Sequence, residues 1–174
     1  LFISLSAPLL LSGCFNQPVY RQSQEPLRSA ATVDLQRYLG KWYEIYRLPN
    51  RFEGDDCLTV TADYGLLQNN QVSVLNTCIR ADKLQQAHGK AKIVEGSGNA
   101  QLKVTFFWPF YGDYWVVDVA SDYSWSIVSE PAGRYLWVLA RNKTIPKELE
   151  DQLLKKVESL GYKRSDLIKP ENSR

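Results

Sequence analysis

Lysines and apolar side chains alternate along Lys90-Ala91-Lys92-Ile93, and polar and apolar ones along Leu102-Lys103-Val104-Thr105-Phe106. A period of two places the two sets on opposite faces of a β-strand. These segments therefore predict strands with the lysines in water and Ala91, Ile93, Leu102, Val104 and Phe106 inward. They belong to strand-like stretches at about 88–95 and 101–107, joined by others at about 42–47, 57–65, 71–80, 113–120, 124–129 and 134–141. Leu67-Gln68-Asn69-Asn70 and Gly96-Ser97-Gly98-Asn99 have the composition of tight turns. Short strands in succession, with no helix between them, predict an all-β fold: an eight-stranded antiparallel up-and-down β-barrel. Eight strands also close around room for one small ligand.

Two helical segments flank the strands. Asp34 can cap a short turn over Leu35 to Leu39 that ends at Gly40. After the last strand, Thr144 is the expected cap of a longer helix, with Pro146 in its first turn and Gly161 as its stop. Leu149, Leu153, Val157 and Leu160 form one apolar stripe, while Lys155 and Lys156 fall off it. Such a helix packs one face on the barrel.

The first residues follow another rule. Leu1 to Leu11 is almost wholly apolar, too short to span a bilayer but of the length of a signal-peptide core. Leu11-Ser12-Gly13-Cys14 resembles the lipobox of bacterial lipoproteins, an aliphatic residue and two small ones before an acylated Cys. The expectation is a leader over 1–13, truncated because neither an initiator Met nor a basic stretch precedes it. Cleavage then leaves palmitate-type chains on Cys14, and two or more chains anchor a protein stably. Phe15, where an Asp would favour the inner membrane, points to the outer membrane of a Gram-negative envelope. Residues 14–32, rich in Gln, Ser, Pro and Arg, read as the lipidated N-terminus and a flexible tether, and 33–174 as the barrel domain.

Composition removes several classes of function. A net charge of +2, with both signs interspersed, argues against nucleic acid as a partner. The only His, His88, sits in a strand pattern, no Cys/His cluster has metal-ligand spacing, and Gly96-Ser97-Gly98 is a hairpin turn. Glu44 and Asp118 are isolated carboxylates, expected to be ion-paired or peripheral. No catalytic residue, cofactor or metal is expected.

Three motifs carry a family resemblance. Gly40-Lys41-Trp42-Tyr43 resembles the first lipocalin signature, Ser121-Asp122-Tyr123 the second, and Arg141, closing the last strand, the third. They occur in the family's order with the helix after them. Phe107-Trp108-Pro109-Phe110-Tyr111-Gly112 is similar to a stretch of the bacterial outer-membrane, apolipoprotein D-like branch. The resemblance covers about 33–170 and implies that Arg141 lies over Trp42 at a closed barrel end. On this reading Gly40, Trp42, Asp122, Tyr123 and Arg141 identify the fold and do not touch ligand.

The resemblance also extends the candidate cavity. Parity with Arg141 turns Trp137 and Leu139 inward, and likeness to the family's second and third strands adds Tyr64, Val72, Val74 and Asn76. Tyr114 and Val116 complete the set, although 114–119 is apolar on both faces and the parity of 124–129 is ambiguous. An apolar lining with few polar atoms suits an elongated molecule with one polar end, such as a fatty acid or lysophospholipid. A filled core without a cavity is the alternative.

Cys57 and Cys78 lie on consecutive antiparallel strands whose turn centres near 68–69, which makes a cross-strand disulfide feasible. A reactive cavity thiol is the other possibility. The function expected is a lipid-anchored envelope lipocalin that binds or transports small hydrophobic molecules and is not an enzyme. A lipid-modifying enzyme using the thiol, and a structural lipoprotein with a filled barrel, stand as alternatives.

Overall fold

The computed structural model describes residues 17–171; the leader and Cys14 lie outside them. Eight antiparallel strands close into a barrel in chain order: β1 (Gly40–Arg47), β2 (Thr59–Leu66), β3 (Gln71–Ile79), β4 (Leu84–Ile93), β5 (Gln101–Phe107), β6 (Phe110–Val119), β7 (Trp125–Ser129) and β8 (Leu136–Ala140). Helix α1 (Leu35–Tyr38) precedes them and helix α2 (Lys147–Ser159) follows. The closed end carries the β2–β3, β4–β5 and β6–β7 turns, and the open end carries the β1–β2, β3–β4, β5–β6 and β7–β8 loops.

Alternation assigns the two faces of the wall, as in Ala91 opposite Val104 and Ile93 opposite Leu102. Two segments of mixed polarity become clear for a different reason. A bulge between Val116 and Asp118 shifts the register of β6. Before it Tyr114 and Val116 face inward. After it Val119, opposite Ser126, joins the interior group around Trp42 and Val128. Ile127 and Val138 form a pair on the outer face, under α2.

Helix α2 buries Leu153 and Val157 against Ile45, Ile127 and Val138, with Leu149 and Leu160 half-buried beside them. Its start differs from the sequence expectation. Thr144 is not the cap: the helix begins at Lys147, and Pro146 takes the capping position with no side-chain hydrogen bond. Proline's fixed φ and missing N–H suit that position, so the helix starts after it rather than around it. Gly161 ends α2 at φ +96°, as expected of a helix-terminating glycine.

From residue 17 on, the segment read as a flexible tether is instead held along the barrel. At the open end the Tyr20 and Arg21 amides donate to the Gly133 carbonyl, at 2.9 and 3.1 Å. The Gln22 amide donates to the Gly161 carbonyl, and the Ala30 and Val33 amides to those of Val116 and Gly98 near the closed end, all at 2.8 Å. Leu27 and Val33 are buried. Polar composition suggested freedom, but backbone donors on the barrel loops hold an irregular strand as well as a regular one.

Cys57 and Cys78 form a disulfide with Cα atoms 5.4 Å apart. They are not directly opposed as expected. Cys78 faces Val60, and Cys57 lies in the loop before β2, so the bridge ties that loop to β3.

Candidate functional site

Gly40 enters β1 at φ +89°, a conformation that L side chains rarely adopt. The sharp entry brings three carbonyls of the preceding turn under the guanidinium of Arg141. Arg141 Nη2 donates to the carbonyls of Arg37, Tyr38 and Leu39 at 2.6, 3.2 and 2.9 Å, and Nη1 donates to that of Lys41 at 2.8 Å. Its Cζ stands 3.8 Å from the centroid of the fully buried Trp42 ring. Trp42 Nε1 donates to the Tyr38 carbonyl at 2.8 Å. Tyr123 adds the cap from the β6–β7 turn, its hydroxyl accepting the Asp34 amide at 2.7 Å while the Arg37 guanidinium covers its ring. Asp122 turns its own loop by accepting the Ser124 amide at 3.0 Å.

Above this plug lies a floor of three tyrosines. The Tyr114 hydroxyl is 2.9 Å from those of both Tyr38 and Tyr64, and Tyr38 is 3.2 Å from Ser126 Oγ. Burial pushes the Tyr38 hydroxyl up to about 12 and raises those of Tyr64 and Tyr114 as well. The floor divides the interior. Beneath it a space of about 20 Å³ is lined by Val72, Ala91, Leu102 and Val116, room for a single water at most. Above it a cavity of about 740 Å³ opens to solvent, within the ~300–1,000 Å³ usual for small-molecule sites. The alternative of a filled core without a cavity therefore fails: only the closed end is filled, and the open end holds a cavity.

The residues expected to line a cavity divide the same way. Asn76, Phe106, Trp137 and Leu139 line the open cavity. Tyr64, Val74, Val104 and Tyr114 border both spaces, and Val72, Ala91, Leu102 and Val116 belong to the filled end. Ile93 lines neither; it is half-buried against Val72 and Leu102. Pairing with Leu102 sets Ile93 at the closed-end tip of β4, below any usable space.

One wall of the cavity is charged. Arg47, almost wholly buried, lies 3.5 Å from Glu44 and 3.2 Å from each of Glu53 and Asp55. Glu53 also accepts from Trp137 Nε1 at 3.2 Å. Burial raises the Glu44 carboxyl well above the carboxylate range, and the Glu53 charge adds to this against the pull of Arg47. Glu44 thus lies beside Arg47 as an isolated carboxylate expected to be ion-paired would, but inside the barrel, where burial favours its neutral form. Asp118 is paired too, 2.6 Å from Lys156 on the outer surface, and His88 is exposed. Sequence reasoning did not find Arg47 and Glu53, because their meeting depends on how the β1–β2 loop folds back. At the rim Arg51 and Arg80 line the mouth, Arg80 2.5 Å from Asp56. Among the described residues, no group of three or more His, Cys, Asp or Glu is placed to hold a metal ion.

The model of the lipocalin-like domain matches residues 33–172. The chain belongs to the lipocalin family. This lipocalin is 37% identical over 163 residues to the outer membrane lipoprotein Blc of Vibrio cholerae, covering 92% of this chain and 91% of that one. It is 32% identical to temperature-induced lipocalin-1 of Arabidopsis thaliana over 81% of this chain and 80% of that one. To apolipoprotein D of Macaca fascicularis it is 38% identical, over 69% and 67%. Among solved structures, insecticyanin of the tobacco hornworm Manduca sexta superposes with a TM-score of 0.65 at 23% identity, over 88% of this chain and 86% of that one. That likeness bears on the fold of this lipocalin alone.

Proposed function

We propose that this lipocalin is a carrier of fatty acids or lysophospholipids, tethered by lipid on Cys14 to the outer membrane of a Gram-negative envelope. The open cavity of about 740 Å³ carries the reading. Its lining offers Val74, Val104, Phe106 and Leu139 to an acyl chain, and its rim offers Arg51 and Arg80 to a carboxylate or phosphate. The anchor rests on the lipobox at Leu11-Ser12-Gly13-Cys14 and on relatives named as outer membrane lipoproteins. A thiol enzyme is disfavoured, because both Cys57 and Cys78 sulfurs are consumed in the disulfide.

Burial of apolar chain supplies roughly 0.8 kcal/mol per methylene, so ten methylenes contribute about 8 kcal/mol before ordering costs. A net energy of about 8 kcal/mol would correspond to a micromolar Kd and the ordering costs weaken it, while affinity should climb with chain length until the cavity is full. Titration of the delipidated protein with a fluorescent fatty acid, competed by lysophospholipids of graded length, is the test. Absence of saturable binding by folded protein overturns the carrier reading. The anchor is tested apart from it: Cys14→Ser in the full-length chain should accumulate as uncleaved or mislocalised precursor, and normal fractionation of that variant rejects it.

A further inference from the structure

The aromatic residues of the β5–β6 hairpin are largely exposed. Phe107, Trp108 and Phe110 are 76%, 77% and 71% exposed, and Phe52, on the β1–β2 loop at the same open end, is 61% exposed. Soluble surfaces seldom present such a cluster unless something covers it. The run Phe107-Trp108-Pro109-Phe110-Tyr111-Gly112 contains no charge, and the rings of Phe107 and Phe110 stack at 6.4 Å. The apolar surface does not stop at the rim. Phe106, Phe107, Phe110 and Tyr111 also line the cavity, so one continuous apolar face runs from hairpin tip to interior.

A second observation fixes what lies opposite. The N-terminal strap runs from the closed end, where Val33 meets Gly98, to the open end, where Tyr20 meets Gly133. Gln17 is held there too, its Nε2 donating to the Pro49 carbonyl at 2.5 Å. Cys14 is three residues further on, and three residues reach at most about 11 Å. The expected anchor is therefore confined to the same end of the barrel as the exposed aromatic rings. A headgroup layer is roughly 5–8 Å deep, so a tether of that length keeps the rim at the membrane surface. Tryptophan and its aromatic neighbours favour that layer.

We propose that the open rim is a bilayer-docking surface, with the Phe107–Tyr111 hairpin and Phe52 seated among phospholipid headgroups. The cavity mouth then faces the membrane, and an acyl chain passes between bilayer and barrel along the aromatic face without crossing water. This orientation rests on the anchor reading for Cys14, not on the identity of the cavity ligand. Acidic and basic groups both border the mouth, Arg51, Arg80 and Glu53 among them, so docking depends on the aromatics and is insensitive to salt.

The test uses the lipidated protein, purified from membranes and reconstituted into phosphatidylethanolamine–phosphatidylglycerol vesicles carrying phospholipids brominated high on the acyl chain. Trp108 fluorescence should be quenched, and Trp108→Phe should remove most of that quenching at both low and high salt. Equal quenching in the wild type and Trp108→Phe overturns the proposal. So does an unquenched Trp108 in a protein that sediments as a dimer split by Phe107→Ser and Phe110→Ser, since a second copy then covers the patch. Trp108 lies on an exposed hairpin, and circular dichroism of the variant verifies its fold. Quenching that persists when the cavity is saturated with unbrominated fatty acid does not depend on cavity occupancy. A protein that docks but fails the fatty-acid titration loses the carrier reading and keeps this orientation, and the reverse result does the opposite.

Discussion

Arg141 and Trp42 seal one end of the barrel together, the guanidinium carbon 3.8 Å from the indole centroid while its nitrogens collect carbonyls of the chain entering β1. The indole alone fills the end, but nothing in an indole can satisfy those carbonyls. Removing the guanidinium leaves them with water or with nothing. Arg141→Ala should lower stability by about 1–3 kcal/mol. Arg141→Lys should recover only part of the loss, because one ammonium cannot match the guanidinium fork. Urea unfolding midpoints measure both. A fall in ligand affinity with an unchanged midpoint would make Arg141 a site residue instead.

The Cys57–Cys78 bridge closes a separation of 21 residues and fastens the loop that carries Phe52 and Glu53. Loss of a loop of this size from the unfolded-state constraint is worth about 2–4 kcal/mol. Cys57→Ser with Cys78→Ser should show that deficit in urea and should expose the β1–β2 loop to proteolysis. Peptide mapping of freshly purified, non-reduced protein should find the two cysteines linked; two alkylatable thiols would count against the bridge.

Glu44 gives the barrel a pH dependence of definite sign. Its native carboxyl titrates above the ordinary value of 4.5, so the native state holds a proton that the unfolded chain releases. The stability this contributes is complete below the ordinary value and is lost as pH rises through the native one. A neutral Glu44 leaves Arg47 balanced by Glu53, 3.2 Å away. Glu44→Gln preserves the shape and cannot ionise. Its stability relative to wild type should improve as pH rises above the ordinary carboxylate value, until the native carboxyl has ionised. A difference that does not change with pH would show that Glu44 is ionised throughout.

The tyrosine floor has a direction. Ser126 Oγ donates to the Asp118 carbonyl at 3.3 Å, and a carbonyl can only accept. Tyr38 must then donate to Ser126, Tyr114 to Tyr38 and Tyr64 to Tyr114. Tyr114→Phe breaks the chain at its centre and leaves the Tyr64 hydroxyl without an acceptor, at a cost of about 1–3 kcal/mol. The cavity keeps its shape, so fatty-acid affinity should stay near wild type. In alkaline titration these three phenols should remain silent while exposed tyrosines ionise, since burial raises all three.

The sequence showed most of the wall and little of the charge within it. Val104 was legible because β5 alternates regularly from Leu102 to it, and Phe106 lines the cavity as its parity implied although the register against β6 shifts between Val104 and Phe107. Val119 was not, because the bulge after Val116 reverses the parity on which a period-of-two argument depends. Arg47, the last residue of β1, carried no signal in the sequence. Its burial follows from a second bulge, between Glu44 and Tyr46, and from a loop that returns Glu53 and Asp55 to it. Residues 20–33 misled in the other direction, since no pattern of side chains records backbone bonds such as those to Gly98 and Gly133. Motif spacing located Trp42 and Arg141, while the division of the interior by Tyr38 and Tyr114 depends on contacts 76 residues apart in the chain.

Val104 stands where the open cavity meets its floor and borders both spaces. An acyl chain that fills the cavity must end beside it. Val104→Asp places a carboxylate there, in apolar surroundings formed with Val74 and Leu139. The charge loses its water when a chain arrives, and burying it without a partner costs several kcal/mol. Long chains should therefore lose affinity by an order of magnitude or more. Chains too short to reach the floor should bind as they do to wild type. That dependence on length separates lost contact from general damage to the fold, which would weaken every ligand alike. Competition titrations with fatty acids of graded length, on protein whose circular dichroism matches wild type, make the comparison. Uniform weakening across the series would mean that the chain does not lie with its tail toward the floor.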